Sequence, residues 1–141
     1  MSLTKEELLK QVREDVYCRI APSPIGGVGV FAIRDIPQDT NPFVGTDEEE
    51  YVEIHEHELT DLDPEVMRLI HDMFVYEHGI YYFSAGGLQA IDISYFLNHS
   101  LSPNMVADEL GEEFRTARLI KKGDELLVNY NDYDGNQDDF R

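Results

Sequence analysis

The sequence predicts one α+β domain, mainly β, with two helices. Its 141 residues suit a single domain built on a single hydrophobic core. Its 42% hydrophobic and 11% aromatic content can fill that core, because chains that stay disordered lack aromatic and branched residues. Short aliphatic and aromatic runs between Gly, Pro and Asp turn signals outnumber the helical patterns, so strands dominate.

Thr4 and Glu7 fit a capping box, and Leu3, Leu8, Leu9 and Val12 suit one helical face. A first helix is expected from about Lys5 to Glu14, making residues 1–15 an N-terminal helical unit. Tyr17-Cys18-Arg19-Ile20 reads as a strand ended by Pro22 and Pro24. Gly26, Gly27 and Gly29 lead into a second strand, Val28 to Ile33, and Pro37 marks a turn between Asp35 and Asp39. Asp47 to Glu58 is acidic and weakly patterned, so no element is predicted there. Asp63-Pro64 opens the second helix, since proline suits a first helical turn and Val66, Leu69, Ile70, Met73 and Phe74 recur at helical spacing. Gly79 ends it. Short strands are then expected at Ile80 to Ser84, Leu88 to Ile93, Met105 to Leu110, Glu113 to Ile120 and Glu125 to Asn129. Gly111 and Lys122-Gly123-Asp124 supply turns. Asn131 to Arg141 is polar and acidic.

Eleven Lys and Arg against 29 Asp and Glu give a formal charge of -18. Such a surface repels nucleic-acid phosphates and anionic lipid and attracts cationic proteins, although acidity also serves plain solubility. The expected partner is therefore a lysine-rich basic protein or peptide, with no direct nucleic acid and no membrane. Cys18 is the single cysteine, which excludes an internal disulfide and a zinc site of several thiolates. No apolar run approaches the ~18 residues of a membrane span, and an intracellular compartment is expected: cytoplasmic, or nucleoid or nuclear by source. His55 and His57 sit among Glu53, Glu56 and Glu58, a solvated acidic segment rather than a metal site. Ser100 beside His99 is no nucleophile pair, since neighbours on an extended chain point apart.

Three separated segments carry a resemblance. The first is Ser23-Pro24-Ile25-Gly26-Gly27-Val28-Gly29-Val30-Phe31-Ala32, followed by Ile36-Pro37. The second is Tyr95-Phe96-Leu97-Asn98-His99-Ser100-Leu101-Ser102-Pro103-Asn104. The third is Ile120-Lys121-Lys122-Gly123-Asp124-Glu125-Leu126-Leu127-Val128-Asn129-Tyr130. A glycine pair is a weak signal, the Asn-His-Ser-x-x-Pro-Asn string a strong one, and the Gly-Asp-Glu-Leu strand a moderate one. In this order, from about Tyr17 to Tyr133, the chain resembles the SET-domain family of protein-lysine methyltransferases, and looks closest to small stand-alone viral and bacterial members.

The resemblance implies a SET-domain (β-clip) fold of small sheets over residues 16–133, with a knot-like C-terminal segment. It also implies an insert at about 45–79 that carries the second helix, and a short tail at 134–141. The implied reaction is methyl transfer from S-adenosylmethionine to a lysine ε-amine. Gly27, Val28 and Gly29 match the family's cofactor loop, where a Cβ would block close backbone approach; a plain hairpin turn is the alternative. Asn98 and His99 match residues that contact the cofactor, and Tyr130 matches the catalytic tyrosine beside the transferring methyl. Tyr81 matches a channel aromatic, with simple packing as the alternative. Tyr133 and Phe140 could close the lysine channel from the C-terminal tail, with a frayed tail as the alternative. A homodimer that completes a site is a further expectation of the same resemblance.

The chain departs from the family where Tyr95 replaces a common arginine and Leu101 a common cysteine. The cysteine-rich segment of many histone methyltransferases has no counterpart here, since Cys18 is the single cysteine, so the resemblance does not say what forms the channel's outer wall. Two rival readings stand beside catalysis. One is a silent SET module that binds cofactor or peptide; the other is an acidic interaction domain that sequesters basic proteins.

Overall fold

The computed structural model describes residues 3–43, 51–108 and 113–133. Helix α1 (Lys5–Lys10) begins at the capping box: the Thr4 hydroxyl accepts from Glu7 N–H at 3.1 Å, and the Glu7 carboxylate accepts from Thr4 N–H at 3.0 Å. The helix continues as a π turn, Gln11–Asp15. Its expected apolar face is not buried, and Val12 is 62% exposed. The core begins only after the helical segment, at Cys18.

Strand β1 (Cys18–Pro22) pairs antiparallel with β2 (Val28–Ala32), from Cys18↔Ala32 to Pro22↔Val28. The insert holds β3 (Tyr51–His55), helix α2 (Pro64–Met73), β4 (Val75–Glu77) and β5 (Ile80–Ser84), with sheet order β3-β5-β4. Strands β6 (Asn98–His99), β7 (Met105–Ala107), β8 (Phe114–Thr116) and β9 (Glu125–Val128) complete the described chain. β7 and β8 form a two-stranded sheet, while the largest sheet has the order β1-β2-β9-β6. Strand β9 thus lies between β2, antiparallel, and β6, parallel in the register Asn98↔Leu127 and His99↔Val128. Placing the last strand between an early hairpin and the motif segment is the local form of the knot-like threading.

Asn104 fastens that threading. Its Nδ2 donates to the Glu125 carbonyl and its Oδ1 accepts from Leu127 N–H, both at 2.8 Å, and its side chain is buried. The Ser100 N–H donates to the Val128 carbonyl at 3.0 Å, so the loop between them runs along β9.

Two apolar clusters stand where the composition suggested one. The main core joins Val30, Ile36, Leu97, Met105, Leu126 and Val128, with Cys18 against it. Burial pushes the Cys18 thiol up to about 11, so near neutral pH it is a neutral apolar side chain. The insert has its own small core of Ile70, Phe74 and Tyr81. Asp63 caps α2 by accepting from Glu65 N–H at 2.8 Å, and Pro64 fills its first turn as expected.

Three stretches in and after the insert differ from expectation. Helix α2 stops at Met73, and Val75–Glu77 is a strand turning back at His78 and Gly79, both with positive φ (52° and 81°). Such a two-residue turn suits a hairpin. The acidic Tyr51–His55 stretch is a strand because it pairs with β5, Ile54 opposite Tyr81. Leu88 to Ile93 is not a strand; short 3-10 turns at Leu88–Ala90 and Ile93–Phe96 stand in its place. The second turn bridges the clusters, sending Ile93 and Phe96 to the main core and Tyr95 to the insert core.

Candidate active site

The β1–β2 turn, strand β6 and the end of β9 meet at one place. Gly27 sits in the turn with φ +59°, a conformation that favours glycine, and its carbonyl accepts from Ser23 N–H at 3.0 Å. Its part in a hairpin turn is therefore real, whatever else it does. Gly29 is needed for a different reason. A Cβ there would collide with Glu125 Oε2 and lie 2.9 Å from Asn98 Nδ2. Asn98 Nδ2 donates to the Val28 carbonyl at 3.1 Å and to Glu125 Oε2 at 2.8 Å. The structure thus brings Gly27, Val28, Gly29 and Asn98 together.

His99 and Tyr130 are joined twice. The Tyr130 N–H donates to His99 Nδ1 at 3.0 Å, which assigns the ring hydrogen of a neutral His99 to Nε2. The two rings lie 5.2 Å apart. Tyr130 opens a 3-10 turn, Tyr130–Asp132, immediately after β9, and its hydroxyl donates to the Leu97 carbonyl. Two oxygens, one phenolic and one carbonyl, are thereby placed side by side at the edge of the Asn98–His99 segment.

An aromatic series leads away from Tyr130. Tyr133 meets it edge-on at 6.1 Å, Phe114 meets Tyr133 at 5.8 Å, and Phe43 meets Phe114 at 6.0 Å. Tyr133 is therefore beside Tyr130 and packed against the main core, while Phe140 lies outside the described residues. Tyr81 is in the other cluster. It is 5% exposed, its hydroxyl is 3.2 Å from His71 Nδ1, and its ring packs 4.7 Å from Tyr76. Alternation along β5 sends Tyr82 to the opposite face, toward Glu53 and Glu77.

The residues that motif reading did not single out are Phe43, Phe114 and Glu125, together with the Leu97 carbonyl. Phe43 comes directly after Pro42 in a turn, a context that signals loop rather than wall. Beyond Phe43 a cavity of about 430 Å³ opens between the N-terminal helical segment and the main core, lined by Tyr17, Cys18, Ile20, Phe43, Ile93 and Phe96 among others.

The polar atoms at this centre suit a cationic cofactor. Asn98 gives its amide hydrogens to protein acceptors, so its Oδ1 is the atom left to receive a donor. The Leu97 carbonyl, the Tyr130 hydroxyl and the Glu125 carboxylate are acceptors too. A sulfonium and an ammonium would both find complementary oxygens there.

Small sheets with the last strand threaded between an early hairpin and an Asn-His segment, and a tyrosine closing that strand, define a SET domain. The SET-domain family profile matches residues 27–131, and the chain belongs to that family, whose members are generally lysine methyltransferases that use S-adenosylmethionine. Among solved structures the chain is similar to a candidate histone methyltransferase of Plasmodium falciparum, with 20% identity and a TM-score of 0.51 over 82% of this chain and 93% of that one. A likeness at that identity supports the fold. No match was found among curated proteins.

Proposed function

We propose that this chain transfers a methyl group from S-adenosylmethionine to a lysine ε-amine of a basic protein. The observation that carries the reading is the pairing of the Tyr130 hydroxyl with the Leu97 carbonyl beside Asn98 and His99. Gly27, Val28, Gly29, Asn98 and His99 would hold the cofactor, which supplies an electrophilic methyl on a cationic sulfur. The chain's own part is positioning. The two oxygens favour partial positive charge on a methyl group and restrict where it can sit.

The lysine must arrive neutral, although its ordinary pKa is about 10.4. Tyr130 and Tyr133, backed by Phe43 and the buried Phe114, offer aromatic surface beside the site, and a narrow dry channel there would disfavour an ammonium by desolvation. Tyr133 supports the channel role; Tyr81 supports it less, since its side chain is committed to the insert core. The basic partner is favoured by the -18 charge. Exposed Glu53 on β3 adds to it, whereas the Asp47 to Glu50 run lies outside the described residues.

Calorimetric titration with S-adenosylmethionine tests the reading on wild type and on a folded Asn98→Ala variant. Saturable binding that weakens at least about tenfold in the variant is expected, because a hydrogen bond to a charged group contributes roughly that much. Tritium transfer from the cofactor to lysine-rich peptides then reads the reaction. Binding without transfer to any basic substrate would favour a silent module. A folded wild type that binds no cofactor would leave the acidic interaction domain.

A further inference from the structure

Glu125 begins β9 opposite Phe31 of β2, yet its side chain serves the turn and the motif segment rather than the sheet. Its carboxylate takes the Ser23 hydroxyl at 2.9 Å and 3.0 Å to its two oxygens, and Oε2 takes Asn98 Nδ2 at 2.8 Å. Ser23 in turn accepts from Ile25 N–H at 3.1 Å, so the carboxylate holds the turn that carries Gly26 and Gly27. The absence of a side chain at Gly29 is what lets Oε2 sit there. Three parts of the chain far apart in sequence therefore share one carboxylate.

We propose that Glu125 is a positioning residue for the cofactor site, acting through Asn98; the proposal rests on the reading that Asn98 holds S-adenosylmethionine. An asparagine amide can be flipped, exchanging oxygen for nitrogen, and the surroundings decide which face is which. Here the Val28 carbonyl and the Glu125 carboxylate both demand a donor, so Nδ2 is held inward and Oδ1 is the atom offered to a ligand. Remove Glu125 and only one carbonyl holds the amide. The flipped state, which offers a donor to a cationic ligand, then becomes accessible.

Positioning and direct charge attraction predict different variants. Glutamine at 125 can accept from Asn98 through Oε1 and donate to the Ser23 oxygen through Nε2, which keeps the amide orientation without the charge. Glu125→Ala is expected to weaken S-adenosylmethionine binding roughly tenfold, the size of one hydrogen bond to a charged group. Glu125→Gln is expected to restore most of it. In the Asn98→Ala background, Glu125→Ala should add almost nothing, since the residue acts through Asn98. Glu125→Gln as weak as Glu125→Ala, or additive loss in the double variant, would overturn the proposal in favour of a direct charge contact.

A readout on the free protein keeps this apart from the methyltransferase reading. The Asn98 side-chain amide protons, observed by nuclear magnetic resonance, should exchange slowly in wild type and clearly faster in folded Glu125→Ala. Unchanged exchange overturns the positioning even if the cofactor binds. Faster exchange in a chain that binds no S-adenosylmethionine upholds the orientation of Asn98 and overturns only its link to the cofactor.

Discussion

At Tyr130 the backbone N–H is committed to His99 Nδ1 and the hydroxyl to the Leu97 carbonyl. The two bonds do different jobs: the first fixes where the ring starts, the second where its oxygen ends. Tyr130→Phe removes only the second. If that oxygen faces the transferring methyl, turnover should fall on the order of 10²-fold, the usual effect of deleting one preorganised polar contact, while cofactor affinity stays within about threefold. Single-turnover rates beside calorimetry give the split, and an equal loss in both would make Tyr130 a binding or packing residue instead. The motif resemblance made Asn98, His99 and Tyr130 legible, because their polar groups stand directly after apolar runs in the family's order. The Leu97 carbonyl was not legible, since every residue has one and only the fold selects which is used. Glu125 read as a strand boundary for a similar reason: its partners, Ser23 and Asn98, lie 102 and 27 residues away.

Elements were legible where local chemistry decides them. Thr4 with Glu7 placed α1, Asp63-Pro64 placed α2, and Ile80 to Ser84 was found as β5. They were misread where pairing decides. Tyr51–His55 becomes a strand by lying against β5, and Val75–Glu77 leaves the helical pattern to take the other edge of the same strand. The parallel pairing of two-residue β6 with β9 has no local pattern of its own, only the threading the resemblance implied, and Asn104 fastens the loop after β6 to β9. That side chain satisfies one backbone donor and one acceptor of β9 inside the core. Asn104→Ala leaves both without a partner, for a cost of about 2–4 kcal/mol. The unfolding midpoint should drop by roughly 6–15 °C in a domain of this size. Amide exchange should rise first at Leu127 and Ser100, which flank the clamp. A midpoint within about 2 °C of wild type, equivalent to about half a kcal/mol, would mean that pairing with β2 alone secures β9.

For the whole molecule the dominant quantity is charge. The 29 acidic residues far outnumber the 11 basic ones, and Arg115 is already held by Glu113 at 2.9 Å, so carboxylate charge dominates. Self-repulsion of this size is tolerated because two apolar clusters hold the fold, and it gains a purpose if the partner is cationic. A lysine-rich peptide would then be drawn in over distances set by the Debye length, about 10 Å at 0.1 M salt and about 3 Å at 1 M. Peptide affinity, measured by fluorescence anisotropy, should therefore fall at least about tenfold between roughly 0.05 M and 0.5 M salt, mainly through slower association. In the proposed site a few fixed oxygens would hold S-adenosylmethionine at short range, so its affinity should change less than about twofold over the same range. The two responses separate the rival readings. A sequestering surface predicts steep salt dependence with no gain when cofactor is added. A methyltransferase centre predicts that cofactor and a peptide containing lysine strengthen each other, because a neutral amine is most favoured in a closed channel. Salt-insensitive peptide binding would instead make the acidity a matter of solubility, and would move substrate recognition to the aromatic series from Tyr130 to Phe43.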